Sequence, residues 1–336
     1  MLSVAEVEQS GLAALERAGV PKRNAEIQFS LLLDAEMRGV ASHGLLRLPR
    51  VIERVINRVT NPAVTGSHSW RGESFLQIDG QQGLGPVVAL SGLDAALERV
   101  TTTGTCTVAI KNCDHLGMLA WYAEKVAQQG KILLAVTISE ALVHPWGGRK
   151  AMLGTNPIAI GVPAHPQPFV FDMATSLVSM GKIHDHANRG VSIPEGWALD
   201  ADGLPTTDAG KAKHGAIAPF GGAKGYGLGL AFEVLVAALT ASAIGTSVRG
   251  TLDSIQPCNK GDVFIVMEPA AGVSDLISGY LEALRISSPS DPEQPVRIPG
   301  DRSMEARSNA EKHGLKIAPD LWERIQSLVG SSLTTK

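Results

Sequence analysis

Apolar residues recur at helical spacing near both ends of the chain and in short β-rich runs through its middle. Ser3-Val4-Ala5-Glu6 has the form of a capping box. Val4, Val7, Leu12 and Leu15 follow it, which predicts an opening helix that ends near Gly19. A second helix fits Lys22 to Arg38 and is broken by Gly39. Leu48, Val51, Ile52, Val55, Ile56 and Val59 then resume a helical stripe up to Asn61-Pro62, with Pro49 inside it or at its first turn. From residue 73 the texture changes. Runs at Cys106–Ile110, Ile132–Ile138, Pro157–Val162, Phe169–Phe171 and Val263–Met267 predict strands, and Pro86–Val100, Leu116–Gln129, Lys224–Ser242 and Gly272–Arg285 predict helices between them. Prolines 289, 292, 295 and 299 make Ser287–Pro299 an extended connector, and a last helix is expected from Pro319 to Val329. The fold class expected is α/β or α+β.

At 336 residues the chain exceeds the size at which one core stops growing. Two units are expected: a helical one built from 1–72 and 287–336, and an α/β one over 73–286. A formal net charge of -3 offers no basic field for a phosphate backbone, so nucleic acid is not an expected partner. The three cysteines, Cys106, Cys113 and Cys258, have neither the number nor the spacing of a disulfide framework or zinc knuckle, and the first residues lack the order of a signal peptide. A cytoplasmic location is expected. Leu228 to Ile244, interrupted by Glu233, is shorter than the ~20 apolar residues of a membrane span and reads as a buried helix.

The most informative stretch is Ala41-Ser42-His43-Gly44-Leu45-Leu46-Arg47. It sets an imidazole and a guanidinium four residues apart, on one face if the segment is helical. Histidine gives and takes a proton near neutrality, and arginine binds a carboxylate through a planar fork. Ser42 can cap the following helix or touch the substrate or the imidazole. A 2-oxo acid and its 2-hydroxy acid partner need this combination, whereas a solvated surface pair needs nothing further. His115, just after the Cys106–Ile110 strand, is a second candidate acid or base. Thr155 lies in a glycine-rich turn and can reach a substrate. His184-Asp185-His186 admits a metal-dependent hydrolase, since two imidazoles two apart on a strand face the same way.

No strand is followed by Gly-x-Gly-x-x-Gly, so an ordinary Rossmann site has no support. Two other segments can offer backbone N–H groups to phosphate: Asp172-Met173-Ala174-Thr175-Ser176, and Gly221-Gly222-Ala223-Lys224-Gly225-Tyr226-Gly227, where Lys224 adds charge. A strand-end turn and close helix packing are the plain alternatives.

Together these segments resemble the malate/L-lactate dehydrogenase family of the non-Rossmann type, which also contains ureidoglycolate dehydrogenase, 2,3-diketogulonate reductase, sulfolactate dehydrogenase and piperideine-2-carboxylate reductase. The resemblance spans nearly the whole chain. It rests on Ser42-His43-Gly44 with Arg47, residues 112–117, 153–160, 172–176 and 193–198, and Lys224-Gly225-Tyr226-Gly227-Leu228. It implies a homodimer whose cofactor domain has a largely antiparallel or mixed sheet, with a helical layer from both chain ends. By the same resemblance His43, His115 and Ser42 are catalytic, Arg47 and Thr155 bind substrate, and Ala174, Thr175, Ser176, Lys224 and Ser139 contact NAD or NADP, with NAD preferred. Ser176, Lys182 and Arg189 are the groups able to approach a 2′-phosphate. The expected reaction interconverts a small 2-oxo acid and a 2-hydroxy acid without a metal. A cyclic imino acid or diketo sugar acid on the same site, and a non-catalytic dinucleotide-binding protein, are the alternatives. Leu116 stands where many relatives have an aromatic residue, and Gly261-Asp262 where many have Gly-His; His144 and Trp146 lie where the family varies.

Overall fold

Ser3 caps the first helix, its hydroxyl accepting from Glu6 N at 3.2 Å. The computed structural model describes residues 1–330. Its helices are α1 (Val4–Arg17), α2 (Lys22–Met37), α3 (Leu48–Ile56), α4 (Gly85–Thr103), α5 (Leu119–Gln128), α6 (Met180–Asn188), α7 (Ala209–Ala212), α8 (Ala223–Thr240), α9 (Val273–Arg285), α10 (Asp301–His313) and α11 (Pro319–Gly330). The strands are β1 (Ser67–Trp70), β2 (Phe75–Gly83), β3 (Thr105–Cys113), β4 (Ile132–Thr137), β5 (Ile158–Val162), β6 (Phe169–Met173), β7 (Ala198–Leu199), β8 (Pro205–Thr206), β9 (Ala216–Ile217) and β10 (Gly261–Met267).

Seven strands form one sheet in the order β1-β2-β3-β10-β4-β5-β6, and β8-β7-β9 form a small second one. Only β2 and β3 pair in parallel in the large sheet; its other pairs are antiparallel. The expected mixed, largely antiparallel sheet with a helical layer is therefore present. Strand β10, late in the sequence, pairs with both β3 and β4, so the last strand closes the middle of the sheet. One sheet face shares its core with both chain ends: Phe29, Leu31 and Ile52 pack in the same buried cluster as Leu76, Val108, Tyr122 and Ile325. On the other face Val236 and Phe232 of α8 meet Val136 and Val263.

Two expectations are corrected here. The segment from Ala41 to Arg47 is not one helix: two short 3₁₀ turns, Ala41–His43 and Leu45–Arg47, are separated by Gly44, and α3 begins at Leu48 with Pro49 in its first turn. The apolar helix α8 is not buried. Leu228, Leu230, Val234 and Leu235 are exposed to 37, 39, 52 and 44%. Its apolar residues run all round the helix, so the sheet covers one side and leaves the opposite side open. In length and composition α8 would also pass for a membrane span, yet Glu233 at its centre is buried against this sheet. That carboxylate accepts from Asn156 Nδ2 at 2.6 Å and from the backbone N–H groups of Gly154 and Gly245.

Removing Glu233 strands three donors from two separate loops, two of them buried and the Gly245 N–H half-buried. Glu233→Ala is expected to lower unfolding free energy by about 3 kcal/mol, which urea denaturation measures; an unchanged midpoint would show that these loops hold without it.

Candidate active site

Gly39, in the left-handed region at φ 74°, ends α2 and turns the chain back along it. Gly44 then lies directly on α2, where a Cβ would overlap the Glu36 carboxylate and stand 3.1 Å from the Glu36 Cα. Glu36 uses the space by accepting from Leu45 N at 2.9 Å. This fixes both 3₁₀ turns. Ser42 Oγ lies 2.9 Å from His43 Nδ1, and Arg47 Nε donates to Ser42 O at 2.9 Å. The serine thus touches the imidazole, and the terminal nitrogens of Arg47 are left to face the cavity.

The second histidine arrives from the sheet. Strand β3 ends at Cys113, and the next residue, buried Asp114, takes two charge-assisted hydrogen bonds from Arg54 of α3, at 2.7 and 3.1 Å. Thr60 donates to the same carboxylate, and Arg54 Nη1 also reaches the carbonyls of Asp253 and Gln256 at 3.0 Å. His115 is the next residue along. Its ring lies 5.4 Å from that of His43, tilted by 37°. Gly117, at φ 75°, turns its N–H back onto His115 Nδ1 at 2.9 Å. Since Nδ1 accepts, the neutral ring carries its proton on Nε2.

His43, His115, Arg47, Arg50, Arg54 and Thr251 help line a partly open cavity of about 30 Å³, room for little more than one or two waters. Burial, then the charge of Arg47, pushes the His43 pKa down to about 4. Burial, then Arg47 and His43, holds His115 well below the ordinary range. Burial, then Arg50, brings Arg47 down to about 10. At neutral pH both imidazoles are uncharged and the guanidinium is still charged.

The residues expected at a dinucleotide also converge. Thr155 N donates to Ser139 Oγ at 3.0 Å, and Thr175 donates to Thr155 O through its backbone N–H and its hydroxyl, at 2.8 and 2.9 Å. Asn156, at φ 33°, bonds Gly229 O of α8 at 3.0 Å, and Phe220 N reaches Thr175 O at 3.1 Å. The 174–176 segment and the start of α8 are therefore one surface. Ser176 Oγ is buried there without a hydrogen-bond partner among the described residues, as expected of a group that waits for a ligand. Lys224 is exposed in the first turn of α8. Helix α6, which follows this segment, comes back to the histidines: a Cβ at Gly181 would stand 3.5 Å from that of Ser42. The chemistry of these groups fits the phosphates and ribose of a dinucleotide.

His184 and His186 lie on α6, not on a strand, so their side chains diverge by about 200°. His186 packs edge-on against Trp197 at 5.5 Å, and among the described residues no three His, Cys, Asp or Glu side chains gather to hold a metal ion. The chelating geometry expected of a strand is absent. Sequence reasoning passed over Arg50 and Arg54, although Arg47, Arg50 and Arg54 recur at helical spacing and all line the cavity.

Residues 2–326 match the malate/L-lactate dehydrogenase family. The chain is 35% identical over 320 residues to L-sulfolactate dehydrogenase of Methanocaldococcus jannaschii, covering 94% of this chain and 92% of that protein. It is 32% identical to Delta(1)-pyrroline-2-carboxylate reductase of Pseudomonas fluorescens, covering 98% of each. Its fold is similar to the crystal structure of a dehydrogenase from Sinorhizobium meliloti, with a TM-score of 0.95 and 50% identity over 98% of this chain and 97% of that one.

The depressed basicity of His43 links folding to pH. The unfolded imidazole takes up its proton near 6.5 and the folded one at about 4, so this contribution to stability is complete above pH 6.5 and is lost as the pH falls through that interval. His43→Asn is expected to flatten the acid limb of a melting-temperature profile between pH 6.5 and 4. An identical limb in both proteins would remove the linkage.

Proposed function

The chain belongs to the malate/L-lactate dehydrogenase family and is an oxidoreductase, and we propose that it interconverts a 2-oxo acid and its 2-hydroxy acid, with His43, His115 and Arg47 acting on the substrate. The observation that carries this is the meeting of two neutral imidazoles with a guanidinium, Arg47, that pairs with no carboxylate among the described residues, in one cavity. A nicotinamide cofactor, when bound, supplies or accepts the hydride. Ser139, Ala174, Thr175, Ser176 and Lys224 are the residues proposed to hold it, and Ser42 and Thr155 border the substrate.

The two histidines divide the work. His115 presents Nε2–H, fixed by the Gly117 amide on its other nitrogen, and polarises the substrate oxygen. His43 has the hydroxyl of Ser42 at Nδ1, a group that both donates and accepts, so its Nε2 can change protonation state. Arg47 takes the carboxylate, and the arriving anion raises the His43 pKa from its depressed value, so proton uptake accompanies binding of the 2-oxo acid. In the oxidative direction neutral His43 is ready as the base.

NAD is the proposed cofactor. Of the two cations expected from the sequence to approach a 2′-phosphate, Arg189 is paired with Asp185 at 3.1 Å and Lys182 lies over Trp197 at 4.9 Å, which leaves less charge for that group. A homodimer is proposed because the open face of α8, with Leu230, Val234 and Leu235, needs cover. Cys106, Cys113 and Cys258 are free and buried, consistent with a reducing cytoplasm. The mainly helical segments 1–72 and 287–336 and the α/β segment 73–286 are proposed as the two functional units, one bringing Arg47 and the other the cofactor, although β1 (Ser67–Trp70) at the end of the first segment joins the large sheet by pairing with β2. Similarity to a pyrroline-2-carboxylate reductase keeps a cyclic imino acid as a second substrate class on the same groups.

Following reduced-cofactor absorbance with 2-oxo acids and cyclic imino acids tests this proposal. His43→Asn is expected to lower kcat by about 10²–10⁴-fold and to remove the pH dependence of kcat/KM, whereas His115→Asn lowers kcat and retains it. Arg47→Gln is expected to raise KM for 2-oxo acids by about 10²-fold with cofactor affinity unchanged. Full activity in these variants would remove the roles. For the dimer, Leu235→Glu is expected to halve the mass seen by light scattering; a monomeric parent chain would refute the interface.

A further inference from the structure

We propose that Arg50 binds a second negative group on the substrate, one or two carbons beyond the reacting carbon, so that this chain is built for dianionic 2-oxo and 2-hydroxy acids. The inference rests on the reaction proposed above and assigns a specificity to its site.

The cavity lining carries Arg47, Arg50 and Arg54 and a single carboxylate, Asp114. Asp114 is closed by its two bonds to Arg54, so that pair is internally neutral. Two guanidiniums remain, three residues apart at the start of α3, and among the described residues neither meets a carboxylate. Arg47 spends only Nε, on Ser42 O, and Arg50 only Nη1, on Leu252 O. Their other nitrogens make no hydrogen bond among the described residues. Two like charges held side by side in a half-enclosed space repel, and the Arg47 guanidinium, lowered first by burial, is lowered further by the charge of Arg50. The surrounding imidazoles are uncharged and relieve none of it. A monocarboxylate neutralises Arg47 and leaves Arg50 unmatched, whereas a dianion matches both.

The place of Arg50 is organised from behind. Glu140 Oε1 accepts from the backbone N–H groups of Thr251 and Leu252, at 2.8 and 2.9 Å, and lies 3.2 Å from the Thr251 hydroxyl. This carboxylate sets the loop whose Leu252 carbonyl holds one nitrogen of Arg50, and Thr251 of that loop also lines the cavity. The guanidinium is aimed from one corner and keeps Nε and Nη2 for an anion. A purely structural Arg50, serving only to tie α3 to this loop, would make no distinction between substrates of equal length and different charge.

Oxaloacetate and 2-oxobutyrate share a four-carbon chain and differ by one negative charge, so the ratio of their kcat/KM values isolates the effect. The parent chain is expected to favour oxaloacetate. In Arg50→Gln the ratio should fall by about a hundredfold, while Arg50→Lys, which keeps the charge, retains most of the preference. A binding measurement independent of turnover accompanies this: malate should raise the melting temperature of the parent chain more than 2-hydroxybutyrate at equal concentration, and Arg50→Gln should erase the difference. Equal falls for both substrates in Arg50→Gln, or a parent chain that prefers 2-oxobutyrate, would overturn the dianion assignment and leave the 2-oxo acid reaction standing. A parent chain that reduces neither acid with either nicotinamide cofactor would overturn both.

Discussion

The buried pair between Arg54 and Asp114 is the constraint on which the site depends. Arg54 belongs to the helix that begins beside Arg47, and Asp114 immediately precedes His115 at the end of a central strand. Two bonds between charged groups, a third from Thr60 and two backbone carbonyls on Arg54 leave little freedom in that junction. Breaking such a pair by removing one partner costs about 3–5 kcal/mol, because the survivor stays buried and unpaired. What the clasp secures is register: it brings the turn carrying Ser42 and His43 against a sheet loop 72 residues further along the chain, with ring centroids 5.4 Å apart.

Beneath that junction the sheet supplies a neutral floor. Lys260 and Asp262 are both buried and pair with each other, and the Thr137 hydroxyl and the Cys113 thiol also bond the Asp262 carboxylate. Of this pair only Asp262 falls at the Gly-His position expected of many relatives, as the second residue of Gly261-Asp262, and its charge is cancelled by the neighbouring Lys260. Among the described residues that line the cavity, uncompensated positive charge is thereby left on Arg47 and Arg50. Low local dielectric strengthens the field of these charges and, with them, keeps both imidazoles neutral.

Much of the architecture was legible because periodicity and packing agreed. Helices α1 and α2 carried both a cap or breaker and an apolar stripe, and strands such as β4 were apolar enough to announce themselves. Strand β2 was not, since Gln77, Asp79, Gln81 and Gln82 interrupt it and only alternate residues face the core. Helix α10 was missed for a related reason: Ala310 is its one buried residue, so it has almost no stripe to read. The apolar run of α8 was visible, but no property of that run says how many sides the rest of the protein covers. At the site, Ser42, His43, Arg47 and His115 could be named from residue type. Arg54 as a clasp and Arg50 as an open cation could not, because what separates them is a carboxylate 60 residues away that only the fold brings near. For His184 and His186 the sequence pattern could not tell a strand, where the two would face alike, from the helix that Ser179 in fact caps.

The central claim is spatial, and a crystal structure of the chain with reduced nicotinamide cofactor and oxamate, a stable analogue of a 2-oxo acid, measures it directly. The account requires the oxamate carboxylate on the terminal nitrogens of Arg47, its amide oxygen between the rings of His43 and His115, and the nicotinamide ring facing it from the side of Ser139 and residues 174–176. Oxamate bound away from Arg47, or a nicotinamide remote from both histidines, would contradict it.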